Sequence, residues 1–152
     1  MPMTACPLVT IRLVREDAPP FDVSGRVTDS RATVRAFTEL LANRDRETVA
    51  ALLLTTSHKL LGLHIVSVGT LDAAPVHLRE VFKAAVLANT ANLIIAHNHP
   101  SGDLAPSRVD HEMLNRLAGA GALLGIRVLD YIIVGAGGAY WSAQATGCMP
   151  RT

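Results

Sequence analysis

Two histidines placed two positions apart, with a carboxylate eleven positions further on, are the residues of this chain best suited to chemistry: His97, His99 and Asp110. In an extended backbone, side chains at i and i+2 leave on the same face, so both imidazoles can address one point. Two neutral imidazoles and a carboxylate suit a borderline-soft divalent ion such as zinc. Three protein donors leave the fourth tetrahedral position open, which is the mark of a catalytic rather than a structural zinc site. An ion held in this way lowers the pKa of bound water from about 16 to near 7 and polarises a carbonyl. The donor set therefore implies one zinc ion per chain and metal-dependent hydrolysis.

Each of these residues also has a structural reading. A single histidine at a strand end reads as a hydrogen-bonder to a turn, and it is the pair at this spacing that favours a ligand role. Ser107-Arg108-Val109-Asp110 has the S-x-x-D spacing of a helix capping box, in which Ser107 caps the helix and Asp110 bonds back to the cap amide. The ligand and capping readings of Asp110 are compatible, because one carboxylate oxygen can face an ion while the other meets a backbone donor. Asp103 is a rival ligand, although its place beside Gly102 reads as a solvated turn.

These side chains need a strand to deliver the histidines and a helix start to deliver the carboxylate. Residues 92–96 are a short apolar run, as in a strand buried on both faces, and lead straight into His97. After a loop holding Pro100, Gly102 and Pro106, Ser107 opens a helix carrying Met113, Leu114, Leu117 and Ala118, which weakens through Gly119, Gly121 and Gly125. Asp29 or Ser30 caps an earlier helix that runs to about Asn43, with Val34, Phe37, Leu40 and Leu41 on one face. Residues 48–55 and 60–69 read as a hairpin turning at Ser57-His58-Lys59. A helix after Pro75 buries Leu78, Val81, Phe82, Ala85 and Val86. Residues 127–134 form a strong strand and 139–143 a further one, and the chain frays from Thr146. Near the start, Val9, Ile11 and Leu13 alternate with polar residues before Pro19-Pro20, giving either an edge strand or a loose arm. That surface makes homo-oligomer formation by strand pairing plausible. The organisation expected is an N-terminal arm over 1–23, one domain over 24–147 and a flexible tail over 148–152.

At 152 residues, 49% of them apolar, the chain suits one domain with a substantial core. Fourteen basic against thirteen acidic side chains give a formal charge of +1, which leaves no broad cationic surface for a phosphate backbone. Cys6 and Cys148 lack CxxC spacing, which argues against a disulfide framework. Arg12 interrupts the apolar start, and Arg15, Glu16 and Asp17 close it, unlike an ordinary signal peptide. No run approaches the roughly 20 apolar residues of a membrane span. A cytoplasmic protein with no membrane partner is the expectation.

His97-x-His99, seven intervening residues, Ser107, two more and Asp110 resemble the JAMM metalloprotease motif in full. The longer context, His97-Asn98-His99-Pro100-Ser101-Gly102-Asp103 followed by Pro106-Ser107 and Asp110, resembles the RadC family of bacterial JAMM domains. Gly69-Thr70, Arg79-Glu80-Val81-Phe82-Lys83, Leu129-Asp130 and Ile132-Ile133-Val134-Gly135 extend the likeness over residues 24–145. The resemblance implies an α/β fold of the MPN type, a three-layer α-β-α arrangement with a curved mixed sheet, similar in layout to cytidine deaminases. It also implies that Glu47, just before the strand at 49–54, is the general base and that Ser107 donates to the developing oxyanion. Residue context alone reads Glu47, beside Arg44, Asp45 and Arg46, as a solvated charge. Glu80 and Glu112 are weaker candidates for the base.

The implied activity is zinc-dependent cleavage of a peptide or isopeptide bond, with a peptide or protein as substrate. Two other classes are weighed against it: a metal-dependent protein of DNA processing, by family association, and a non-catalytic MPN interaction module. The letters His-Asn-His do not make a nuclease, because in the enzymes named for them those residues are dispersed over a larger fold. The His-x-Glu and Pro-Cys-x-x-Cys signature of a deaminase is absent. Two departures from the family pattern stand out. Leu129-Asp130-Tyr131 replaces the usual Leu-Asp-His, changing the hydrogen bonds around the ligands. Residues 1–27 hold nothing like the helix-hairpin-helix module of the longer members.

Overall fold

Apolar side chains alternate between the two faces of the central strands, and a helix layer covers each face. The computed structural model describes residues 7–16, 27, 30–69 and 76–151. Along the chain lie α1 (Ser30–Leu41), β1 (Thr48–Leu54), β2 (Leu60–Val68), α2 (Leu78–Leu87), β3 (Asn92–Asn98), α3 (Arg108–Leu124), β4 (Arg127–Val134), a short 3-10 turn (Ala136–Gly138) and β5 (Tyr140–Ser142). The sheet order is β2-β1-β3-β4-β5. Among the described residues only β3 and β4 pair in parallel, and α3 is the crossover that a parallel pair requires.

Val49, Ala51, Leu53, Leu93 and Ile95 point to the α2 and α3 side, where they meet Val81, Phe82, Leu114 and Leu117. Their neighbours Ala50, Leu52, Leu54, Ile94 and Ala96 point the other way, onto Val34, Phe37 and Leu41 of α1. The result is the three-layer α-β-α arrangement with a mixed sheet. Burying each large aliphatic side chain contributes about 1.5–3 kcal/mol, and the two cores clamp β1 and β3 over their whole length.

Several details differ from expectation. Residues 7–16 have no regular structure, and Val9 and Ile11 are 75% and 66% exposed, so the loose arm rather than the edge strand is realised. Alternation makes a strand only where a partner supplies hydrogen bonds. Val86 is 54% exposed, and Ala84 takes the buried place on α2. The helix α3 continues through Gly119 and Gly121 to Leu124, and at Gly121 the missing Cβ, which would collide with the Ile126 carbonyl, lets helix and strand lie close together. Gly125, at φ 68°, then ends the helix in the left-handed region. From Thr146 the chain turns instead of fraying: Thr146 Oγ1 donates to the Ser142 carbonyl at 2.7 Å, and Met149 packs against the core. Cys148 is a free, exposed thiol. Cys6, Pro19-Pro20, Asp29, Thr70 and Pro75 lie outside the described residues. Among those described, no helix is long and apolar enough to cross a membrane.

Candidate metal centre

Strand β3 runs two residues beyond the expected 92–96 and carries His97 within it, paired with Val49 on one side and Ile133 on the other. The His97 side chain is 1% exposed and leaves the sheet on the α3 side, as Ile95 does. His99 follows at the strand end. Its loop is closed by the Gly102 amide, which donates to the His99 carbonyl at 2.9 Å, with Gly102 at φ 78°. His99 Nδ1 lies 2.7 Å from the Asp103 carbonyl. A carbonyl only accepts, so Nδ1 carries the proton and the neutral ring presents Nε2 as a bare acceptor.

Asp110, in the first turn of α3, supplies the third group. Ser107 Oγ accepts from the Asp110 amide at 3.1 Å, and the Ser107 amide donates to Asp110 Oδ2 at 2.7 Å, completing the capping box. Oδ1 is left to face His97 Nε2 at 3.1 Å, while Oδ2 also comes within 3.4 Å of His99 Nε2. The capping reading of Asp110 is realised, largely on Oδ2, and it leaves Oδ1 turned towards the histidines. Ser107 Oγ donates its own proton to Oδ2 at 2.8 Å.

His97 Nε2 and His99 Nε2 stand 2.9 Å apart, and Glu47 Oε1 lies 4.0 Å from His97 Nε2. Donor atoms of Glu47, His97 and His99 all fall within 4.8 Å of one another. Lone pairs of two neutral rings and a carboxylate converging in this way repel one another unless a cation or protons sit among them. Donors bonded at about 2.0–2.1 Å around a tetrahedral zinc stand roughly 3.3 Å apart. Separations of 2.9, 3.1 and 3.4 Å bracket that value, so the residues present fit an ion of this size.

The charges respond as this arrangement requires. Burial opposes ionisation of Asp110, but hydrogen bonds with His97 and His99, interaction with the His97 charge and the Ser107 amide hold its carboxyl far below the usual carboxylate range. The hydrogen bond with Asp110 raises His99 against its own desolvation. Burial, reinforced by the Asp110 charge, pushes the Tyr131 phenol well above its ordinary value, so it keeps its proton.

Other candidate residues lie elsewhere. The Asp103 carboxylate accepts from the Ala105 amide at 2.9 Å, a turn role. Glu80 pairs with Lys83 at 2.6 Å and Glu112 with Arg108 at 3.6 Å, each on its own helix surface. Two residues that spacing did not single out do reach the site. Tyr131 donates from its hydroxyl to Asp110 Oδ1 at 3.3 Å, and its ring centre lies 5.2 Å from that of His97. Asn98, between the histidines and on the opposite face, accepts from the Thr48 amide at 2.8 Å and donates to the Arg46 and Arg44 carbonyls at 3.1 and 3.3 Å. It thereby anchors the backbone on either side of Glu47. The strand alternation that pairs His97 with His99 already sends Asn98 the other way, and that signal was available in the sequence.

Comparison with known proteins identifies the family. The family described as the RadC-like JAB domain matches residues 27–148. A UPF0758 protein of Rubrobacter xylanophilus is 47% identical over 109 residues, covering 72% of this chain and 47% of the relative. A UPF0758 protein of Desulforamulus reducens is 44% identical over 116 residues, covering 76% and 47%. One from Desulforudis audaxviator is 53% identical over 91 residues, covering 60% and 40%. The chain thus spans about half the length, or less, of these relatives.

Proposed function

Because the chain belongs to the RadC family of JAB domains, we propose that it is a zinc-dependent hydrolase of the JAMM kind that cleaves a peptide or isopeptide bond. The observation that carries this reading is the convergence of His97, His99 and Asp110 on one point, with Glu47 4.0 Å from His97. A divalent ion held by those three residues supplies the Lewis acidity that makes water nucleophilic near neutral pH and polarises the scissile carbonyl.

The chain's own groups do the rest. Glu47 takes the proton of the attacking water and returns it to the leaving amine. Its carboxylate is partly exposed, 4.0 Å from His97 Nε2. Ser107 Oγ–H steadies the oxyanion, for which it must leave Asp110 Oδ2. The Ser107 amide stays on Oδ2 at 2.7 Å when it does, so Asp110 keeps its orientation. His99 is kept in the tautomer that offers Nε2 by its bond to the Asp103 carbonyl.

A test uses Glu47→Gln with a panel of fluorogenic peptides and isopeptide-linked substrates. The expected result is unchanged zinc content with turnover abolished. Undiminished turnover removes Glu47 from the reaction, and equal zinc in wild type and His99→Ala removes the metal site. Salt-sensitive binding to duplex DNA with no cleavage of any peptide would favour the DNA-processing alternative.

A further inference from the structure

Asp130 and Tyr131 exchange faces through a slip in the β3–β4 register. Leu93 pairs with Val128, but the next residue, Ile94, pairs with Asp130, so Leu129 is the extra residue in β4. Without that slip, strict alternation would set Tyr131 opposite Ala96, on the α1 side. With it, Tyr131 lies opposite Ile95 and joins the core on the face that carries His97. Asp130 is occupied elsewhere, accepting from Ser142 Oγ at 2.6 Å and the Gln144 amide at 3.0 Å.

His97 lacks what a ligand histidine ordinarily has. Its outer nitrogen, Nδ1, is buried and without a hydrogen-bond partner, whereas such a ring usually donates that N–H to a carboxylate, carbonyl or water. The ring must be oriented by packing instead: the His99 ring, itself one of the converging donors, is centred 4.8 Å away edge-on, and the Tyr131 ring is centred 5.2 Å away, tilted by 52°. The same side chain donates to Asp110 Oδ1, the oxygen nearest His97 Nε2. We propose that Tyr131 is the positioning residue of the metal centre, fixing His97 through its ring and Asp110 through its hydroxyl. The two contacts set the angle between one imidazole ligand and the carboxylate ligand. This inference rests on His97, His99 and Asp110 being the ligands.

The experiment measures zinc affinity by competition with a chelator of known strength, together with the visible spectrum of the Co2+-substituted protein and the melting temperature of the metal-free protein. Wild type is compared with Tyr131→Phe, Tyr131→Leu and His99→Ala. Removing only the hydroxyl, Tyr131→Phe is expected to weaken zinc binding by about tenfold to a hundredfold. Its Co2+ bands should shift, and zinc affinity should fall by more than the loss of one buried hydrogen bond lowers the metal-free melting temperature. Tyr131→Leu, which also loses the ring, is expected to bind more weakly still. Wild-type affinity and an unchanged Co2+ spectrum in Tyr131→Phe would overturn the proposal, as would an affinity loss wholly matched by lost metal-free stability. If His99→Ala binds zinc as wild type does, the ligand assignment itself fails. If His99→Ala loses zinc while Tyr131→Phe matches wild type, only the role of Tyr131 falls.

Discussion

His97 and Glu47 stand 4.0 Å apart at neighbouring strand ends, yet they are held by different means. On the side proposed to hold the ion the contacts are made at the side chains: His99 with the Asp103 carbonyl, Asp110 with the Ser107 amide and hydroxyl, and both His97 and Asp110 with Tyr131. On the base side they are made at the backbone, where Asn98 grips residues 44, 46 and 48 and the Gly69 amide donates to the Glu47 carbonyl at 2.8 Å. The contrast suits the two tasks. Donors to an ion must keep their separations to within a few tenths of an ångström. A proton carrier must serve the attacking water and the leaving amine in turn, which suits a fixed main chain with a partly exposed carboxylate.

Substitutions on the two sides should therefore fail differently. The largest effect is expected at Asp110→Asn, which keeps an acceptor for the cap but loses the charge facing both histidines. Zinc retained after chelator treatment should fall to background, while the metal-free protein stays folded but melts lower, having lost the stability that the ionised carboxylate contributes. Full zinc content would break the comparison at its root. Next, Ser107→Ala should lower kcat by about a hundredfold if the hydroxyl serves the oxyanion and cost about 1 kcal/mol of stability through the lost cap. Loss of stability with unchanged kcat would reduce Ser107 to its cap. A smaller effect is expected at Asn98→Ala, where the orphaned Thr48 amide costs about 2 kcal/mol. Urea denaturation should register that loss while zinc content stays whole. Concurrent loss of zinc would mean that the two sides are one unit.

Much of this was legible in the sequence because local rules decide it. The i, i+2 pair at a strand end, the S-x-x-D cap and the hairpin each follow from spacing within a few residues, and all are present in the structure. What was missed depends on contacts between elements distant in sequence. A change in the hydrogen bonds around the site at Tyr131 was expected; what was missed is its bond to Asp110, which requires a register slip between β3 and β4, and the close approach of α3 at Gly121 to the Ile126 carbonyl. The alternation at Val9 and Ile11 carried no information about a partner strand, and residues 7–16 accordingly have none. Asn98 is a different case, since the alternation used for the histidines also fixes its direction.

The smallest predicted effect concerns pH, and it separates the protons of the site from its ion. In metal-free protein the depressed Asp110 carboxyl contributes stability above about pH 4, the ordinary carboxylate range, and that contribution is lost as pH falls below it. The raised His99 contributes below its ordinary value of about 6.5 and loses that contribution as pH climbs through its elevated value. Together they are most stabilising between about pH 4 and 6.5, so the metal-free melting temperature should decline on the alkaline side. Zinc needs the His99 Nε2 lone pair, so its binding strengthens over that same rise. The gap in melting temperature between zinc-loaded and metal-free protein should therefore widen from about pH 5.5 to 8, as calorimetry of the two forms would register. A constant gap over that range would mean that His99 does not trade a proton for the ion, and the ligand side would then be no better fixed than the base side.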